Sequence, residues 1–142
     1  MLGSQRWTYF TNEEVVGLEP EYVAKLDMAR AKTIELDPEK KGIAFVITSG
    51  FRSVEKNESV IGAVPDSSHC KGLATDLAVD NHHEVFLIVA ALISVGINRI
   101  GIYVNGEGLP THVHNDMDTE KPSQTIWLKR EGSVSDELPQ TA

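Results

Sequence analysis

The chain has a single cysteine, Cys70, among 142 residues. No disulfide can close within it, and its fold does not depend on an oxidising compartment. Basic residues are in the minority, with 13 Lys and Arg against 21 Asp and Glu and a formal charge of −8. A concentrated basic face is therefore lacking, which argues against nucleic acid or an anionic membrane surface as the main partner. Long apolar runs are missing too. The longest, Val85 to Ile93, falls well short of the roughly 20 residues that span a bilayer. The opening stretch Met1 to Trp7 has no basic segment followed by a sustained apolar one, so no export signal is read and cytoplasmic synthesis is expected. No internal repeat is present.

What is there is ordinary globular material, 41% hydrophobic and 24% charged, in an amount that closes one core. A single domain is expected over residues 1–130. The polar stretch 131–142, with Pro139 and no periodicity, is expected to be a frayed tail. Pro20 suits the first turn of a helix running from Glu21 to about Glu35, whose stripe is Tyr22, Val23, Leu26, Ala29, Ala31 and Ile34. The β-branched and aromatic run Ile43 to Thr48 predicts a strand closed by Ser49-Gly50. Residues 53 to 68 read as irregular, with helical character confined to one turn at most, and loops of that length inside a domain are usually functional. Ala74 to Val79 alternates as a strand with Asp76 opposite the bulkier face of Thr75, Leu77 and Val79. Asn81 is placed to cap an apolar helix from His83 to Val95, and Gly96 to end it. Strands are expected again at Arg99 to Val104 and Thr111 to Met117, around the turn Asn105-Gly106-Glu107-Gly108.

The chemistry gathers in Ser67 to Asp76 and in His112-Val113-His114. His69, Asp76 and His114 offer two imidazoles and a carboxylate from three segments. That is the inventory of a catalytic zinc site, which takes three N/O ligands and leaves a fourth position for water, whereas structural zinc is usually closed by cysteines. Two neutral ligands and one anion leave the ion a strong Lewis acid, suited to amide hydrolysis. His112, two residues from His114 and on the same strand face, can assist a developing oxyanion or hold the water. Arg52 carries a fork that suits a substrate carboxylate or carbonyl. Taken singly, each of these residues has a plainer reading as a solvated histidine, an edge charge or a turn cap. His82-His83 at a helix start is most simply a solvated pair, and Cys70 a small half-buried thiol. Only the ordered combination points to a site.

That combination is the basis of a resemblance. Ser49-Gly50-Phe51-Arg52-Ser53, Asn57, Ser68-His69-Cys70-Lys71-Gly72-Leu73-Ala74-Thr75-Asp76, Ile100-Gly101-Ile102-Tyr103 and His112-Val113-His114-Asn115-Asp116 resemble the zinc D-alanyl-D-alanine carboxypeptidase family. The family includes phage L-alanyl-D-glutamate endolysins and shares a fold with the Hedgehog signalling domain. The resemblance spans roughly Leu18 to Trp127. It implies an α+β fold in which a small antiparallel sheet carries the zinc site and helices pack on one face. It implies Zn2+ held by His69, Asp76 and His114, with His112 assisting the transition state, Arg52 binding or polarising substrate, and Ser68 and Asn57 lining or bracing the pocket. The implied partner is the peptide of bacterial peptidoglycan, cut by a D,D-carboxypeptidase or an endopeptidase; the sequence does not fix the oligomeric state, and a monomer is the expectation. Without an export signal, a phage or prophage lysin released with assistance fits this reading. Several members place an acid three residues before the final ligand as general base, where this chain has Thr111. Glu107 in the preceding loop is the candidate base, and Asp116 the candidate partner of His114. The alternative is a zinc-stabilised wall-binding or structural module that has lost catalysis.

Overall fold

A computed structural model describes residues 6–53 and 67–131. Asn57 and most of the irregular segment before Ser67 lie outside the described residues, as do residues 132–142. The elements are α1 (Pro20–Leu36), β1 (Ile47–Ser49), a 3-10 turn (Ser68–Lys71), β2 (Ala74–Ala78), α2 (His82–Ser94), β3 (Arg99–Val104), β4 (Pro110–Asp116) and β5 (Thr125–Arg130). The α+β reading holds, with both helices on one face of a five-stranded sheet ordered β1-β2-β4-β3-β5. Its first four strands pair antiparallel. The fifth, β5, pairs parallel to β3, so the sheet is mixed.

The period-two pattern of the strands decides which face is which. Leu77 on β2 pairs with Val113 on β4, which pairs with Ile102 on β3. Leu77 and Val113 are fully buried in a cluster with Tyr22, Val23, Leu26 and Ala29 of α1 and Ile88, Ala91 and Leu92 of α2. Side chains of this size contribute about 1.5–3 kcal/mol each when fully buried. The intervening residues Asp76, His112, His114, Gly101 and Tyr103 consequently share the opposite face. On the helix side, the Tyr22 hydroxyl meets Thr75 Oγ1 at 2.8 Å and Asn115 Oδ1 at 2.5 Å. Asn115 Nδ2 donates in turn to Thr75 Oγ1 at 3.0 Å. This buried polar set ties α1 to the backbone directly behind Asp76 and His114.

Two elements depart from the sequence reading. The first strand pairs only over Ile47–Ser49. Phe45 is 5% exposed in the core, so the earlier half of the apolar run fills volume rather than extending the ladder. In α1 it is Thr33 that is buried, with Ile34 only half-buried. Thr33 Oγ1 donates to the Arg30 carbonyl and accepts from the Ile43 amide, which fastens the helix end to the chain leaving it. Asn81 caps α2 as expected, its Oδ1 accepting from the Glu84 amide at 2.9 Å. Among the described residues no helix is long and apolar enough to cross a membrane.

Candidate metal centre

Strand register brings the ligand set together. Asp76 pairs directly with His114 across β2 and β4, and His114 with Gly101 on β3. His69 arrives from the 3-10 turn that precedes β2. That turn ends on Gly72 in the left-handed region, φ 73°. A Cβ there would stand 2.6 Å from the Gly17 carbonyl oxygen, so both conformation and space demand glycine. The turn begins on Ser67, whose Oγ accepts from the His69 amide at 3.2 Å.

His69, Asp76 and His114 each offer one ligand atom, all within 4.8 Å of one another. His69 Nε2 lies 3.4 Å from Asp76 Oδ1, and His114 Nδ1 lies 3.0 Å from the same oxygen. Two atoms about 2.0–2.1 Å from a shared tetrahedral ion stand roughly 3.4 Å apart, so the cluster has the dimensions of a metal site. The far nitrogens are equally suited. His69 Nδ1 is 2.8 Å from the Gly50 carbonyl, which can only accept, so Nδ1 carries the proton and Nε2 presents a lone pair to the cluster. His114 Nε2 is 2.7 Å from Asp116 Oδ2, leaving Nδ1 for a metal. Asp116 is itself held by Arg99 Nε at 2.8 Å and by the Asp118 amide at 3.0 Å. Ring orientation is thus fixed from outside the cluster.

The titration of these groups follows from the same contacts. Burial works against ionisation of Asp76, yet hydrogen bonds from His114 and His69 hold its carboxyl far below the usual range. Burial likewise lowers His114, but hydrogen bonds to Asp116 and Asp76 outweigh it and raise the imidazole above its ordinary value. A ring between two carboxylates favours positive charge among three convergent ligand atoms, and a bound cation would satisfy the same carboxylates. His112 shares the face as predicted. Its Nε2 is 3.9 Å from Asp76 Oδ2, its ring stacks on Tyr103 at 4.3 Å and 19°, and burial pushes it down, toward the neutral form.

Arg52 also reaches the site. Its backbone amide donates to the His69 carbonyl and a terminal nitrogen donates to Ser67 Oγ at 3.2 Å. Its Nε is buried with no hydrogen-bond partner among the described residues. Of the two roles expected of Ser68, lining or bracing the pocket, its contacts are those of a brace. It is 3% exposed, its hydroxyl donates to Asp118 Oδ2 at 2.7 Å and accepts from Lys121 Nζ at 3.0 Å. It braces the turn, and its neighbour Ser67 is the serine that touches Arg52. Glu107 is not brought to the cluster. It is exposed in the β3–β4 turn, its amide bound to Asn105 Oδ1, and among the described residues no hydrogen bond or ion pair links its carboxylate to the site. Cys70 is half-buried, with Sγ 3.8 Å from the Ser53 carbonyl, and takes no part in the ligand set. His82 and His83 are exposed as expected.

Sequence reasoning missed Ser67, Arg99, Asp118 and Trp127. Trp127 stands 5.5 Å from His114 between ring centroids and lies over Gly101, where an added Cβ would sit 2.6 Å from Trp127 Cε2. Gly101 beside an aromatic-bearing parallel strand was the available signal, but only with β5 in place. Against known families, residues 12–116 match the family described as Peptidase M15. Comparison with curated proteins and with solved structures gave no match.

Proposed function

The chain belongs to the Peptidase M15 family, and from that premise we propose that it is a zinc-dependent peptidase that hydrolyses stem peptides of bacterial peptidoglycan. The observation that carries this reading is the convergence of His69 Nε2, Asp76 Oδ1 and His114 Nδ1, with both outer imidazole nitrogens committed elsewhere. Zinc bound to these three atoms supplies Lewis acidity to water and to the scissile carbonyl. The remaining work falls to the chain. Arg52, half-buried beside the turn that carries His69, offers its guanidinium to a substrate carboxylate or carbonyl, which anchors a short peptide by its polar end. His112 Nε2, beside the ligand cluster, is placed to move a proton between the attacking water and the leaving amine. Trp127 and Tyr103 wall the site and keep the rings in place.

Partner and setting follow from the family reading and the sequence. The substrate is a wall peptide rather than nucleic acid. Metal analysis should find about one zinc per chain. Chelation should abolish cleavage of purified peptidoglycan, and mass spectrometry of the new termini should show released D-alanine or a new D-glutamate amine. Retained hydrolysis by His114→Ala would sink the ligand assignment. Because Thr111 stands where an acid is expected and Glu107 does not reach the cluster, a second reading is a zinc-stabilised wall-binding module. It predicts tight zinc, sedimentation with sacculi, and no new termini.

A further inference from the structure

Thr111 has one hydroxyl proton, and the structure shows where it goes. Oγ1 donates to Glu131 Oε1 at 2.7 Å, with the Tyr103 carbonyl a longer alternative acceptor at 3.3 Å. The same oxygen is 3.4 Å from His112 Nδ1. Both nearby oxygens can only accept, so the hydroxyl presents a lone pair, not a proton, to the imidazole. His112 Nδ1 must then be the protonated nitrogen. Glu131 Oε1 is itself 3.9 Å from that nitrogen, balanced by Asp76 Oδ2 at 3.9 Å from Nε2, so the tautomer is set by the Thr111 hydroxyl contact rather than by charge. Glu131 is fixed by its backbone, whose amide donates to the Val104 carbonyl just past the end of β5. It lies beyond residues 12–116, the segment that matches the family.

We propose that Glu131, acting through the Thr111 hydroxyl, is a positioning residue that holds His112 in its Nδ1–H tautomer with the Nε2 lone pair turned toward the metal-ligand cluster. The stacked Tyr103 ring fixes the plane, and the hydroxyl relay fixes which nitrogen is free. In hydrolysis the water O–H bond breaks to place its proton on Nε2 while the oxygen bonds the carbonyl carbon. The C–N bond then breaks as Nε2 returns that proton to the amine nitrogen, so the histidine ends as it began. The catalytic half of this inference rests on the peptidase reading, whereas the tautomer does not.

The test has two arms. In the metal-free protein at about pH 8, above the ordinary imidazole range, long-range 1H–15N correlation spectra assigned with His112→Gln should show His112 as the Nδ1–H form. Thr111→Val and Glu131→Ala should move it toward the Nε2–H form that dominates free imidazole side chains. On peptidoglycan peptides, each of those variants should lose roughly 10- to 100-fold in kcat, as removing a histidine's outer partner does, with KM within about twofold and zinc content unchanged. The double variant should lose no more than either single one. Thr111→Asp combined with Glu131→Ala puts a carboxylate back beside Nδ1 and should recover most of kcat. An Nε2–H form in the wild type, an unchanged kcat, or a loss confined to KM would each overturn the proposal. If the wild type cleaves nothing, the peptidase reading fails and the tautomer spectra alone decide the relay.

Discussion

Asp116 influences the metal centre from one atom further out. Its two oxygens are divided between His114 Nε2 and Arg99 Nε, so removing its charge loosens the ring that carries the third ligand atom. Asp116→Asn is expected to weaken zinc binding by roughly 10- to 100-fold, read by competition with a chromophoric chelator; unchanged affinity would show that packing alone orients the ring. The raised affinity of His114 for a proton, held up by Asp116 and Asp76, has a signed consequence. Metal needs the unprotonated nitrogen, so protons compete at a pH above the ordinary histidine value of about 6.5. Zinc affinity should therefore start to fall on acidification at a higher pH than in Asp116→Asn, where that support is removed, and coincident profiles would contradict the assignment. Ser67 and Ser68 teach the same lesson in miniature. Adjacent serines look interchangeable in sequence, yet one faces Arg52 and the other a buried carboxylate.

At the scale of elements, the site is a set of rows across neighbouring strands, and its precision depends on what lies behind and beside them. Behind it, the Tyr22 hydroxyl satisfies Thr75 and Asn115. Burial drives the Tyr22 phenol strongly upward, so it remains a neutral donor. Tyr22→Phe leaves Asn115 short of a partner in a dry setting and should cost about 1–3 kcal/mol of unfolding free energy, measured by denaturant titration. A loss under a few tenths of a kcal/mol would mean that the buried network relaxes. Beside it, Gly101 lets the Trp127 ring lie against β3. Gly101→Ala should displace that ring, visible as a change in tryptophan emission on zinc addition. An unaltered response would show that the ring does not depend on the missing Cβ.

For the molecule as a whole, the 117–124 connection joins β4 to β5 and is held by Asp118. That carboxylate accepts from Ser68, and from Lys71 at 2.9 and 3.0 Å. Burial opposes its ionisation, but the Ser68 and Lys71 contacts win and lower it to about 2. A carboxyl depressed on folding stabilises above its unfolded value of about 3.9, and that contribution is lost as pH falls through the folded value. The stake is on the order of 2 kcal/mol. Acid unfolding should therefore weaken between about pH 4 and pH 2 in Asp118→Asn relative to the wild type. Equal pH slopes for the two proteins would refute it.

The sequence by itself singled out the three residues of the cluster and most of the frame. Alternation alone places His112 and His114 on one strand face and turns Asp76 away from the bulkier face of its strand, and Pro20 and Asn81 bound the helix starts within a residue or so. Such signals are local, because side-chain period and capping are set by neighbours a few positions away. β5 escaped because Ile126 and Leu128 are half-exposed, so its apolar residues do not mark a buried face. With β5 unplaced, Glu131 read as the first residue of a tail rather than as the partner of Thr111. Only the tertiary structure decided that partnership, the choice of Asp116 and Arg99 to support His114, and the bracing role of Ser68. Each depends on strand register or on a parallel crossover, and those bring together residues whose separation in the chain leaves no periodic trace.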